Sequence, residues 1–172
     1  NAWFTEAVVE LANDGIINGK DSNTFAPNDN VTRAEFAKMI SLLFNIGDGS
    51  DDYAAFNDVD EDAWYAQYVK GVASNGIMQG YEENFNPENP ITREEAATVM
   101  FRAAERFGKL SDSGNETKDF VDESEISLWA SEAVKRLTEA GIINGNENGS
   151  FMPSKNCTRA ETAQMLYLLK TK

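Results

Sequence analysis

Three short stretches carry the residues best suited to hold a charged ligand. Val31-Thr32-Arg33-Ala34-Glu35 returns as Ile91-Thr92-Arg93-Glu94-Glu95 and again as Cys157-Thr158-Arg159-Ala160-Glu161. Each spells a capping box, in which the Thr hydroxyl accepts from the backbone N–H three residues on and the Glu reaches back to the Thr N–H. Helix initiation accounts for Thr and Glu completely. It does not account for Arg. A cation in the first turn meets the positive end of the helix dipole and costs a few tenths of a kcal/mol up to about 1. Its recurrence in all three copies points to a task, and a helix N-terminus with an added Arg makes an anion site.

Other chemistries find little support. The chain has no His and a single cysteine, Cys157, which removes Ser-His and Cys-His nucleophile schemes, His-containing zinc sites and thiolate zinc clusters. Cys157 stands where the other copies have Val31 and Ile91, so it reads as a small buried apolar residue. No pair of carboxylates stands out from the acidic background as a glycosidase dyad. Asp58-Val59-Asp60-Glu61-Asp62 imitates the start of a calcium loop, but Ala63 and Val69 occupy the positions of the required Gly and Glu. These acids read as a polar entry and N-cap region. We therefore expect no enzyme, no metal and no cofactor.

Charge narrows the partners. Fifteen Lys and Arg against 29 Asp and Glu give a net charge of −14, which argues against nucleic acid and against anionic membrane surfaces. An anionic ligand must then be caught by a few placed cations in pockets. No apolar run approaches the roughly 18 residues of a membrane helix, so no membrane insertion is expected. The chain opens at Asn1-Ala2-Trp3, where the pattern predicts the inside of a helix, and is expected to be a piece of a longer protein.

Internal repetition organises these elements. Trp3, Trp64 and Trp129 are spaced by 61 and 65 residues, as are Gly15, Gly76 and Gly141, and Gly19, Gly80 and Gly145. Each unit reads as helix, Gly-Ile-x-x-Gly, short loop, Phe-x-Pro, capping box and second helix. First helices carry Trp3, Ala7, Val8 and Leu11, then Trp64, Val69 and Val72, then Trp129, Val134 and Leu137. Second helices carry Phe36, Ile40 and Leu43, then Val99, Ala103 and Phe107, then Met165, Leu166 and Leu169. Gly15, Gly76 and Gly141 sit where a left-handed glycine ends a helix, with the following Ile as its apolar contact. Acidic linkers at 46–55 and 109–118 separate the units, and Phe56-Asn57-Asp58-Val59 and Phe120-Val121-Asp122 lead into the second and third.

The division expected is 1–47 for a first repeat lacking its start, 55–109 for the second and 119–172 for the third, together one compact domain. One hairpin cannot bury both faces of its helices, whereas three around a common axis can. The expected fold is all-α: three helical-hairpin repeats in a pseudo-threefold bundle, monomeric as a module, with clefts between neighbours. The three Trp residues have two readings. Their spacing from Val fits a core position, and the rival is an aromatic wall against which a sugar ring packs.

Thr-Arg-(Ala/Glu)-Glu, each time preceded by Gly-Ile-(Ile/Met)-x-Gly and Phe-x-Pro, resembles the S-layer homology (SLH) module, here in three copies across almost the whole chain. The resemblance implies an extracellular module at the cell wall or S-layer, chiefly of Gram-positive bacteria, anchoring S-layer proteins, surface enzymes and cellulosome components. It implies non-covalent binding of a secondary cell-wall polysaccharide whose terminal N-acetylmannosamine bears a pyruvate ketal. Carried over by position, Arg33, Arg93 and Arg159 would bind the ketal carboxylate. Gly19, Gly80 and Gly145 would let the loop approach the sugar, and Trp64 and Trp129 would line the cleft wall. Glu94 departs from the Ala of the other copies and would weaken an anion pocket if it points inward. The alternative is a structural module making protein–protein contacts in a surface lattice, its Arg residues serving salt bridges. Binding lost in Arg93→Ala without unfolding would favour the anchor, and self-association indifferent to polysaccharide would favour the lattice.

Overall fold

A computed structural model describes residues 2–21, 23–49, 55–110 and 119–172; most of the two expected linkers lies outside them. Among the described residues six α-helices follow in order: α1 (Thr5–Asn13), α2 (Arg33–Phe44), α3 (Ala66–Ser74), α4 (Arg93–Arg106), α5 (Leu128–Glu139) and α6 (Arg159–Lys170). A short 3-10 turn, Glu123–Glu125, precedes α5. Among the described residues there is no sheet, only isolated bridges. The protein is all-α.

The local signals act where the sequence places them. Thr32, Thr92 and Thr158 each close a complete capping box with Glu35, Glu95 and Glu161. At the other stop, Gly15, Gly76 and Gly141 take φ of 71°, 69° and 72°. Their N–H groups reach back to Ala12, Ala73 and Thr138, and Ile16, Ile77 and Ile142 donate to Leu11, Val72 and Leu137, each at 2.9 Å. This is the Schellman pattern, and all three Ile are buried beneath it.

The tightly packed helix pairs come from different units: α2 lies on α3, α4 on α5, and α6 returns to α1. The two helices of a single unit scarcely touch. A backbone ring explains this exchange. Val31 N–H donates to the Cys157 carbonyl (3.0 Å), Cys157 N–H to Ile91 (2.9 Å) and Ile91 N–H to Val31 (2.9 Å). All three side chains are fully buried, so the slot before each capping box must be apolar and extended. Cys157 fits it as a small apolar group, and burial pushes its thiol up to about 12.

Three expectations need correction. Trp3, Trp64 and Trp129 are 63, 53 and 55% exposed and are not core residues. They stand at or before the first turn of α1, α3 and α5, ahead of the positions where Ala7, Val69 and Val134 turn inward. Ala2 and Trp3 also precede α1 rather than lying within a helix. Phe107 follows the end of α4 and is 40% exposed, stacked on Phe44 with centroids 5.4 Å apart.

Candidate functional site: three clefts between units

Each recurring Arg leaves its own unit and enters the loop of the next. Arg33 donates from Nε to the Phe85 carbonyl (2.8 Å) and from Nη2 to that of Gln79 (2.8 Å), while Nη1 meets Glu95 Oε1 at 3.0 Å. Arg93 reaches Phe151 (2.7 Å) and Asn144 (3.5 Å), with Glu161 3.9 Å away. Arg159 reaches Phe25 (2.9 Å) and Asn18. Each guanidinium lies over the ring whose carbonyl it holds, 4.7 to 5.2 Å from the centroid of Phe25, Phe85 or Phe151. Burial pulls the Arg33 and Arg159 guanidiniums below their ordinary value. Glu95 and Asp58 oppose this at Arg33, and Glu35 and Asp29 at Arg159.

The helix N-termini are likewise occupied. Arg33 and Ala34 N–H donate to Asn89 and Pro87 of the next unit, Arg93 and Glu94 to Lys155 and Pro153, and Arg159 and Ala160 to Asp29 and Pro27. The capping Thr takes the third N–H. These first-turn donors therefore face protein, and the helix N-terminus is not the anion-facing element expected. The Arg is instead a fork that staples the next unit's loop.

Three clefts open along these seams. The first, about 570 Å³, brings together Arg33, Gly80 and Trp129. The second, about 540 Å³, holds Arg93 and Gly145 and is walled by Trp3. The third, about 280 Å³, joins Arg159, Gly19 and Trp64. Each draws its Arg, its glycine loop and its Trp from three different units. All eight residues expected at the site thus lie on cleft walls. Trp3 joins them on the wall of the second cleft, and its spacing with Trp64 and Trp129 is the signal for it.

The glycines have a packing reason besides any ligand. A Cβ on Gly80 would lie 2.3 Å from the Asn84 carbonyl oxygen and 2.5 Å from the Phe56 ring, and one on Gly19 would lie 2.6 Å from the Asp21 oxygen. Just beyond, the middle residue of each Phe-x-Pro is left-handed: Ala26, Asn86 and Met152 have φ of 53°, 57° and 59°. Asp58 supports this turn by accepting from Phe85 and Asn86 N–H, both at 2.7 Å. Asp122 does the same for Phe151 (2.8 Å) and Met152 (2.7 Å). Asp58 is therefore a loop clamp, not a helix cap, and α3 begins without a side-chain cap. Among the described residues no group of three or more His, Cys, Asp or Glu could hold a metal ion.

The Asp122 clamp should be visible in acid. Burial acts to raise its carboxyl, but the Phe151 and Met152 N–H groups and nearby Arg93 outweigh that and hold it below the ordinary 3.8. A carboxyl depressed on folding stabilises above its unfolded pKa, and that contribution is lost as pH falls through the folded value. Asp122→Asn is expected to lower the denaturation midpoint at neutral pH, with the gap to the wild type closing in acid. A constant gap across the acid range would contradict the clamp.

Glu94 does not face a cleft. It is buried and accepts from Ser127 N–H (3.0 Å) and Oγ (3.2 Å), holding the start of α5, where Ser127 makes no side-chain cap of its own. The extra acid of the second unit thus holds the start of the helix that carries Trp129, rather than facing an anion in a cleft. Glu94→Ala is expected to cost about 1 kcal/mol in denaturant titration and to shift Trp129 emission. An unchanged midpoint would remove this role.

The model of the S-layer homology domain matches residues 1–37, 55–97 and 119–163. The chain belongs to the SLH family. An amylopullulanase of Thermoanaerobacterium thermosulfurigenes is 36% identical over 99% of this chain and 9% of its own length. A cellulosome-anchoring protein of Acetivibrio thermocellus is 29% identical over 87% of the chain and 34% of its own length. An S-layer protein of Bacillus thuringiensis subsp. finitimus is 28% identical over 95% and 20%. These SLH segments therefore make up a minor part of each relative.

Proposed function

We propose that the three SLH units anchor a larger surface protein to the bacterial cell wall without a covalent bond and without catalysis. The ligand we infer is secondary cell-wall polysaccharide, gripped at its pyruvylated N-acetylmannosamine terminus in the clefts between units. The module acts outside the cell, at its surface. One observation carries this reading: the same trio of Arg-held loop, glycine and half-exposed Trp recurs in three clefts, each built by three units. A Trp more than half exposed beside a groove offers its face to a sugar ring and its indole N–H as a donor. The family membership supports wall anchoring, since relatives named as an S-layer protein, a cellulosome-anchoring protein and an amylopullulanase share the segment. Several clefts on one polymer-coated surface add avidity. The pseudo-threefold arrangement belongs to the same reading, supported by the closed hydrogen-bond ring of Val31, Ile91 and Cys157.

Calorimetric titration with purified wall polysaccharide, native and after mild acid removal of its pyruvate, tests this. Saturable binding that vanishes with the pyruvate is the expected result. Equal binding to both would sink the ketal mechanism, and binding to neither, with concentration-dependent self-association, would favour the lattice.

A further inference from the structure

The three clefts share a trio but not a charge. The Arg33 wall carries Arg33 and Arg102 against one carboxylate, Glu95. The Arg159 wall carries Lys20, Lys38 and Arg159 against Glu35. The Arg93 wall reverses the sign, with Arg93 against Glu147 and Glu161, although Lys155 meets Glu161 at 2.7 Å from outside the lining. In a chain of net charge −14, a groove with surplus cations is where an anion can settle.

Which cations are available is equally uneven. The guanidiniums of Arg33, Arg93 and Arg159 are spent on loop carbonyls. Lys20 lies 3.7 Å from Glu35 and 3.9 Å from Asp29. Among the described residues Arg102 has no ion-pair partner, and Lys38 has only the Trp64 ring, 5.8 Å from Nζ to centroid. Arg102 shares its cleft wall with Trp129, as Lys38 does with Trp64. Each supplies a cation beside the aromatic face a sugar would cover. The matching places in the Arg93 cleft hold Leu168, for Arg102, and Gln164, for Lys38.

Resting on the anchoring reading, we propose that Arg102 and Lys38 are the groups that meet the acidic substituent of the saccharide. The Arg33 and Arg159 clefts are then its two binding sites, and the Arg93 cleft does not take it. The recurring Arg residues act as positioning residues that hold the loop walls.

The test is calorimetry of the intact chain with N-acetylmannosamine bearing the pyruvate ketal, and with unsubstituted N-acetylmannosamine as its neutral counterpart. The wild type is expected to take two equivalents of the acidic sugar. Arg102→Ala and Lys38→Ala should each weaken one site roughly tenfold or more, with unchanged melting temperatures, since among the described residues neither side chain has an ion pair to lose. Leu168→Arg should add a third site. Three sites in the wild type, or a double variant that binds both equivalents unchanged, overturns this assignment while leaving the anchor intact. Failure of the wild type to bind either the sugar or the wall polymer overturns the anchoring reading and this assignment with it.

Discussion

Arg159→Ala is expected to lower the stability of the fold by about 3 kcal/mol, read as a shift in the urea midpoint. Its fork holds the Phe25 and Asn18 carbonyls of the first unit from the last one, and its plane covers the Phe25 ring. Truncation removes two charge-assisted hydrogen bonds and leaves two part-buried carbonyls without a donor, a loss of roughly 1–3 kcal/mol each. Arg159→Lys should restore little, because an ammonium is a point charge and cannot span both oxygens while lying flat on a ring. A midpoint within error of the wild type would show that the staple is not needed. Arg93→Ala is expected to follow the same pattern through the Phe151 and Asn144 carbonyls, so any binding lost in that variant reports lost structure rather than a ligand contact.

Gly80→Ala is the second large effect. The new methyl would sit 2.3 Å from the Asn84 carbonyl oxygen and 2.5 Å from the Phe56 ring, so backbone must move. Overpacking of this kind costs about 1–3 kcal/mol, and the loop that moves is a wall of the Arg33 cleft. Gly145→Ala is the milder control, since its methyl would meet the Phe120 ring and the Ser150 oxygen at 3.1 Å. Parallel denaturant titrations should rank Gly80→Ala as the more destabilised of the pair. Equal losses would place the constraint elsewhere in the loop.

Local structure was legible because its causes are local. A Thr and the Glu three residues on close a cap without help from the rest of the chain, and a Gly-Ile pair ends a helix in the same way. The residues to place in the clefts were legible too, since they recur at fixed positions in all three units. Their work was not. Arg33 looks solvent-facing from its own helix, and only the packing of the next unit shows its fork closed on Gln79 and Phe85. Glu94 reads as a threat to an anion pocket until α5 is seen to start against it. Of the two readings of the Trp residues, the core one fails because spacing alone does not show that they stand just before or within the first turn of their helices. Arg102 and Lys38 were hidden for the opposite reason: they occur once, and a comparison of repeats discards whatever does not repeat.

The central claim is that a wall saccharide sits in the clefts between units. Each cleft has its own Trp, so the three indole N–H signals of the protein labelled with nitrogen-15 report on them separately. On titration with purified wall polysaccharide, the Trp64 and Trp129 signals should shift saturably along one binding curve, and the Trp3 signal should stay near its free position. Co-sedimentation of the protein with the polymer while all three signals remain unmoved would contradict the account.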